Sequence, residues 1–111
     1  MTATEATTEC WFCDDAERTD PPPGGWLLDD DHWRAGHAPA GFANAGTVVF
    51  ESRRHLLDQS EMNAAEVETY VPALGNVLRA IRVATGCDRV YQWATMDAYP
   101  HFHLWLLPWS M

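Results

Sequence analysis

The sequence contains no lysine: its seven basic residues are all arginines, against sixteen acidic ones, for a formal net charge of −9. Such an acidic surface repels a phosphate backbone at long range, so we expect no nucleic-acid partner. No apolar run approaches the roughly 20 residues that a membrane-spanning helix needs. Residues 1–9 have neither the basic segment nor the apolar core of a secretory signal. We therefore expect a cytoplasmic protein without a membrane partner.

Cysteine is scarce, and its odd count argues against a disulfide framework in a cytoplasmic protein. Cys87 stands alone and is interpreted as a small buried residue. Cys10 and Cys13 form a C-x-x-C pair, which is half of a common zinc arrangement. A redox pair and two unrelated thiols are the alternatives, whereas a zinc ribbon is excluded because no second pair exists. If zinc binds, two further ligands must be His, Asp or Glu.

A length of 111 residues suits one domain, which we place at 10–111 after a disordered leader at 1–9. Short apolar or β-branched runs predict strands at 26–28, 33–37, 47–50, 89–94 and 101–107. One long helix is predicted between a capping box at Asn63 and Glu66 and a stop at Gly86. The order β-β-β-α-β-β predicts an α+β fold, an antiparallel sheet of about five strands with the helix on one face.

Apolar residues recur along the predicted helix at steps of three and four, which indicates one buried stripe. The stripe consists of Val67, Val71, Leu74, Leu78 and Ile81. Pro72 lies more than a turn inside the helix, so it predicts a kink or a later start.

His101 and His103 alternate within the last predicted strand, so they should project from the same face. Imidazole is both a common metal ligand and a general acid, base or nucleophile. His55 follows the third predicted strand, and together with Cys10, Cys13 and His101 it would complete a closed Cys2His2 zinc site. Spacing alone does not show that these four residues converge.

These residues resemble the signature of the histidine-triad (HIT) superfamily of nucleotide hydrolases and nucleotidyl transferases. The family pattern His-φ-His-φ-His-φ-φ-Pro reads here as His-Phe-His-Leu-Trp-Leu-Leu-Pro over 101–108. Upstream, the segment Glu-Ser-Arg-Arg-His over 51–55 is similar to the basic turn of the family, and Glu66 to its acidic helix start. The C-x-x-C pair is typical of zinc-bearing branches, including the uridylyltransferase-like one.

The resemblance implies a role for each of these positions. Zinc would be held by Cys10, Cys13, His55 and His101. His103 would be the nucleophile, attacking the α-phosphorus of a nucleoside phosphate ester, anhydride or phosphoramidate to form a nucleotidyl-histidine intermediate. A small-molecule substrate and a homodimer are implied as well. Trp26, Trp33 and Trp109 would suit the dimer interface if they are exposed.

Two departures from the pattern concern the substrate site. Trp105 replaces the third His; its indole N–H can donate a hydrogen bond but cannot shuttle a proton. The preceding segment offers Thr95, Asp97 and Tyr99 as substrate contacts where relatives carry small residues. A carboxylate at Asp97 would repel an α-phosphate, and Pro100 lacks an amide donor.

Three functional hypotheses follow. The first is a nucleotidyl hydrolase or transferase whose pocket is narrowed by Trp105. The second is an enzyme on the same scaffold that takes a non-nucleotide substrate in an aromatic cavity, built from Trp93, Tyr99, Phe102, Trp105 and Trp109. The third is a non-catalytic, zinc-stabilised binding module that retains the metal ligands alone. Arg53 and Arg54 are interpreted as parts of a solvated turn.

Overall fold

A computed structural model describes residues 10–13, 22–39, 41, 44–94 and 100–110. The strands are β1 (Trp26–Asp29), β2 (Trp33–His37), β3 (Val48–Ser52), β4 (Arg89–Trp93) and β5 (His103–Trp109). A 3₁₀ helix (Gln59–Glu61) and the long helix α1 (Ala64–Thr85) lie between β3 and β4. The strands form one antiparallel sheet in the order β1-β2-β3-β5-β4. The predicted α+β fold is confirmed.

Local sequence accounts for both ends of α1. The Asn63 side chain accepts a hydrogen bond from the Glu66 amide at 2.9 Å, and the Glu66 carboxylate accepts one from the Asn63 amide at 2.9 Å. This is the predicted capping box. Gly86 ends the helix in the left-handed region, with φ of 67°. Of the two outcomes expected at Pro72, the late start is wrong, because the helix runs through Pro72 from Ala64 onward, and the kink stays a prediction.

The core lies between α1 and one face of the sheet. The largest sheet side chain in it is Trp33, which is fully buried and donates its indole N–H to the Thr69 hydroxyl at 2.8 Å. Trp33 is therefore no candidate for an interface. The helix contributes Ala73, Leu74, Val77 and Ile81. Val67 and Val71 are exposed, so the predicted apolar stripe is wrong at its N-terminal end.

Strand alternation directs a second set of side chains to the opposite face of the sheet. Arg34 lies between the core residues Trp33 and Ala35, and Glu51 follows the core residue Phe50. On β5 the corresponding positions are His103 and Trp105. The predicted last strand began two residues too early, since β5 starts at His103. This face, opposite the helix, carries the candidate site.

Among the described residues, no helix is both long and apolar enough to cross a bilayer.

Candidate metal centre and active site

Four side chains from three separate segments converge at one end of the sheet. Cys10 and Cys13 lie in a tight turn closed by a hydrogen bond from the Cys13 amide to the Cys10 carbonyl at 3.1 Å. His55 follows β3, and His101 precedes β5. Because β3 and β5 are antiparallel neighbours, the end of one and the start of the other meet at the same edge. The four potential ligand atoms all lie within 4.8 Å of one another.

The spacing of these atoms fits a tetrahedral metal ion. His101 Nδ1 lies 3.3 Å from each of Cys10 Sγ, Cys13 Sγ and His55 Nδ1. Cys13 Sγ lies 3.4 Å from His55 Nδ1. Zinc bonds of about 2.3 Å to sulfur and about 2.0 Å to nitrogen put tetrahedral ligand atoms roughly 3.3–3.8 Å apart. Two thiols and two imidazoles at these distances form a donor set compatible with zinc.

Backbone contacts fix the orientation of the His101 ring. Its Nε2–H donates to the Ser52 carbonyl at 2.7 Å, which leaves the Nδ1 lone pair directed at the cluster. The neighbouring Phe102 is joined to the turn after β3, because its amide donates to the Leu56 carbonyl at 2.6 Å. The Ser52 amide in turn donates to the Phe102 carbonyl at 3.3 Å. His101 is fully buried, so this orientation is maintained by the surrounding chain.

The turn that carries His55 is attached to α1 by an ion pair. Arg54 donates to the Glu66 carboxylate, with Nη2 2.7 Å from Oε1 and Nε 3.2 Å from Oε2. Burial alone would raise the pKa of Glu66, but the hydrogen bonds from Arg54 and Asn63 outweigh it and hold that pKa below its usual value. Arg53 pairs with Asp29. Both arginines are exposed, as expected of a solvated turn, and each also holds an ion pair.

His103 is presented as a neutral imidazole with one nitrogen already engaged. Its Nδ1 lies 2.6 Å from the His101 carbonyl oxygen, which can only accept, so Nδ1 carries the proton. Nε2 therefore holds the lone pair. Burial lowers the pKa of His103, and the hydrogen bond to His101 opposes this shift only partly. The ring is 2% exposed.

Phe12 covers both signature histidines. Its ring is stacked 4.7 Å from the His103 ring and 5.2 Å from the His101 ring, measured between centroids. Because Phe12 lies between Cys10 and Cys13, the turn that supplies two thiols also supplies this cover. The sequence pattern drew attention to the cysteines and not to the residue between them.

A row of ionisable residues crosses the sheet beside His103. In the strand registers, Arg34 on β2 lies opposite Glu51 on β3, and Glu51 lies opposite His103 on β5. Glu51 is 2% exposed. Arg34 and Glu51 were missed from the sequence, because the predicted third strand ended at residue 50 and no motif marks either residue.

A cavity of about 220 Å³ adjoins this row. Its described lining contains two guanidinium groups, one carboxyl group, an imidazole, a thiol, a hydroxyl and one aromatic ring. The residues are Phe12, Cys13, Arg34, Glu51, Ser52, Arg53 and His55. The cavity thus shares Cys13 and His55 with the metal cluster and Phe12 with His103.

Trp105 lies in an apolar row next to the row of ionisable residues. It is opposite Val49 on β3 and Trp93 on β4, and it is partly buried. Trp93 is 60% exposed. The third signature position therefore presents an indole between two apolar neighbours.

The other residues predicted for the site are placed as follows. Thr95, Asp97 and Tyr99 lie outside the described residues. Phe102 is buried in the core on the helix side of the sheet, so its assignment to an aromatic cavity beside His103 is wrong. His37 has a structural role, since its Nε2 accepts a hydrogen bond from the Gly46 amide at 2.8 Å.

Solved structures of HIT proteins share this fold. A HIT family member from Bacillus subtilis matches with a TM-score of 0.74 at 18% identity, over 91% of this chain and 73% of that one. A HIT family protein from Bacillus anthracis matches with a TM-score of 0.74 at 16% identity, over 93% and 74%. A HIT family hydrolase from Legionella pneumophila matches with a TM-score of 0.63 at 16% identity, over 89% and 91%. No protein-family model and no curated protein sequence matches the chain.

Proposed function

We propose that this chain is a histidine-triad protein of the zinc-bearing, uridylyltransferase-like type, acting as a nucleotidyl hydrolase or transferase with His103 as its nucleophile. The observation that carries the proposal is the hydrogen bond from His103 Nδ1 to the His101 carbonyl. It leaves an Nε2 lone pair on a neutral ring, which is the form that attacks phosphorus. The shared fold and the signature residues support the same assignment.

The reaction needs two displacements at phosphorus. His103 Nε2 forms a bond to the α-phosphorus while the bond from phosphorus to the leaving group breaks. Water, or an acceptor in a transferase, then attacks the phosphorus and the N–P bond breaks. The His101 carbonyl accepts the Nδ1–H throughout and so stabilises the positive charge that the His103 ring acquires.

Zinc belongs to the proposal as the ion held by Cys10, Cys13, His55 and His101. When bound, it supplies structural stability, since four protein ligands close its coordination sphere. The His101 backbone carbonyl is the acceptor for His103. Immobilising His101 therefore also fixes the orientation of the nucleophile.

Trapping the intermediate tests the proposal. Mixing the protein with a nucleoside phosphoramidate should give a nucleotidyl adduct on His103, detected by mass spectrometry of the intact chain and its peptides. His103→Ala should abolish the adduct, whereas the matched control His32→Ala should retain it. A folded wild-type protein without an adduct would contradict a nucleotidyl function.

A second candidate is an enzyme on this scaffold that takes a non-nucleotide small molecule. The specific observation in its favour is that Trp105 lies opposite Trp93, giving an aromatic surface beside His103. Absence of any phosphorus adduct, together with binding of planar aromatic compounds that quench tryptophan fluorescence, would favour it.

In either case a homodimer is proposed, with the exposed Trp109 at its interface.

A further inference from the structure

We propose that Glu51 is the acid/base residue of this site, protonating the leaving group as His103 attacks and deprotonating the water that later releases the nucleotide. The inference rests on the proposed nucleotidyl function and adds a residue to it. It depends on the register of three strands, the lining of one cavity and the chemistry of Trp105.

The register places Glu51 beside the nucleophile. Glu51 and His103 are directly opposite each other on β3 and β5, and alternation turns both side chains to the face away from α1. Side chains of such pairs begin about 4.5–5.5 Å apart at Cβ. An atom bonded to the phosphorus that His103 attacks is therefore within reach of the Glu51 carboxyl group.

The residues around His103 leave this task to Glu51. His103 uses Nε2 for attack and Nδ1 for the hydrogen bond to His101. Trp105 lies two positions along the same strand, and its indole N–H cannot take up or release a proton near neutral pH. The Ser52 hydroxyl donates to the Arg54 carbonyl at 2.8 Å. Among the described neighbours outside the metal cluster, Glu51 has the side chain that can exchange a proton.

The cavity gives the leaving group a place next to Glu51. Its volume of about 220 Å³ accommodates a small amine or alcohol, since one water occupies about 30 Å³ in the liquid. Arg34 and Arg53 border the same space and can donate to phosphoryl oxygens. Phe12 contacts the His103 ring and also lines the cavity, so the cavity adjoins His103 at this residue.

The protons balance over the two steps. In the first, the Glu51 carboxylic acid gives its proton to the departing nitrogen or oxygen as the bond to phosphorus breaks and the bond to His103 Nε2 forms. The Glu51 carboxylate remains. In the second, that carboxylate takes a proton from water as the water oxygen bonds to phosphorus and the N–P bond breaks. Glu51 is then protonated again.

Two substrates with different leaving groups test this role. A nucleoside phosphoramidate releases an amine, which must be protonated, whereas a nucleoside nitrophenyl phosphate releases a stable anion that needs no proton. Glu51→Gln should lower the rate of His103 adduct formation from the phosphoramidate about 100- to 10,000-fold, the range for general acid catalysis. Adduct formation from the nitrophenyl ester should change less than about tenfold.

Controls separate proton transfer from support of the fold. Glu51→Asp keeps the acid and should recover part of the phosphoramidate rate. Glu68→Gln, at an exposed position on α1, should leave both rates unchanged. If Glu51→Gln lowers the rates of adduct formation from both substrates equally, its role is structural and the inference is overturned. An unchanged rate with both substrates would overturn the inference as well.

A measurement on the wild-type protein covers the case in which Glu51→Gln does not fold. For the phosphoramidate, adduct formation should be slower in heavy water than in ordinary water, because a proton moves in that step. For the nitrophenyl ester, the rates in the two solvents should be nearly equal, because no proton moves. Equal rates in both solvents for the phosphoramidate would overturn the inference while leaving His103 as nucleophile. Wild-type protein that forms no adduct with either substrate would remove the proposed function and this inference together.

Discussion

Phe12 packs against the His103 ring and leaves His103 2% exposed, so access to the proposed nucleophile depends on this side chain. Phe12→Ala should therefore increase the reactivity of His103 toward diethyl pyrocarbonate, measured by peptide mass spectrometry. The exposed Trp11 in the same turn provides the matched control, Trp11→Ala, which should not change that reactivity. The loss of a buried Phe should also lower the free energy of unfolding by about 3–5 kcal/mol. Unchanged His103 reactivity in a folded Phe12→Ala protein would contradict this role.

At the scale of single residues, the sequence identified side chains that can bind a metal ion, and it missed residues whose importance comes from their place in the sheet. Cys10, Cys13 and His101 stand out by type and spacing, but their convergence depends on the pairing of β3 with β5. Glu51 has no motif of its own. It becomes notable only because the register sets it opposite His103. Strand register is decided by packing over the whole sheet, which a linear pattern does not contain.

At the scale of elements, the contact between the His55 turn and α1 depends on Glu66. Glu66→Gln removes the charge that Arg54 binds, and it should lower the free energy of unfolding by about 1–3 kcal/mol at neutral pH. Urea titrations of this variant and of Glu68→Gln, its exposed counterpart, check the value. A loss no greater than that of Glu68→Gln would show that the pair does not stabilise the fold.

The same pair has a defined pH dependence. The pKa of Glu66 is lower in the folded protein than its ordinary value of 4.5. The stabilisation is therefore complete above pH 4.5 and is lost as the pH falls through the folded-state pKa. The wild type should lose more stability than Glu66→Gln below pH 4.5.

The helix illustrates what sequence predicts well and what it does not. Its ends follow from local chemistry, the Asn63–Glu66 capping box and the positive φ of Gly86, and both were predicted. The buried face was only partly predicted, because two overlapping apolar stripes run along α1 and the position of the sheet decides between them. Leu74 and Ile81 are buried, whereas Val67 and Val71 face solvent.

At the scale of the whole molecule, the proposed zinc centre joins the N-terminal turn to the sheet. One equivalent of zinc should co-purify, and chelation should lower the melting temperature, because metal binding energy at such a site is folding energy. Cys13→Ser should melt like the chelated protein, while Cys87→Ser, at a cysteine outside the cluster, should retain its zinc. Metal analysis and calorimetry measure both effects. Equal stability with and without metal would contradict the centre.

The order of elements along the chain was predictable, whereas the order of strands in the sheet was not. Local patterns predicted five strands and one helix in sequence. They did not show that β5 inserts between β3 and β4. That insertion brings His101 to the end of β3 and His103 next to Glu51, so the site depends on the least local feature of the fold.

Cys10 and His101 are 91 positions apart, so a metal ion between them would close a loop of nearly the whole described chain. Closing a loop of about that length removes on the order of 4–5 kcal/mol of conformational entropy from the unfolded chain. A mechanical consequence follows as well. Tension applied on either side of these two residues would be shared between the metal–ligand bonds and the hydrogen bonds of β5, which lies after His101 and pairs with β3 and β4. Rupture of the metal–ligand bonds and detachment of β5 from the sheet would then be the two events that limit the force the molecule withstands.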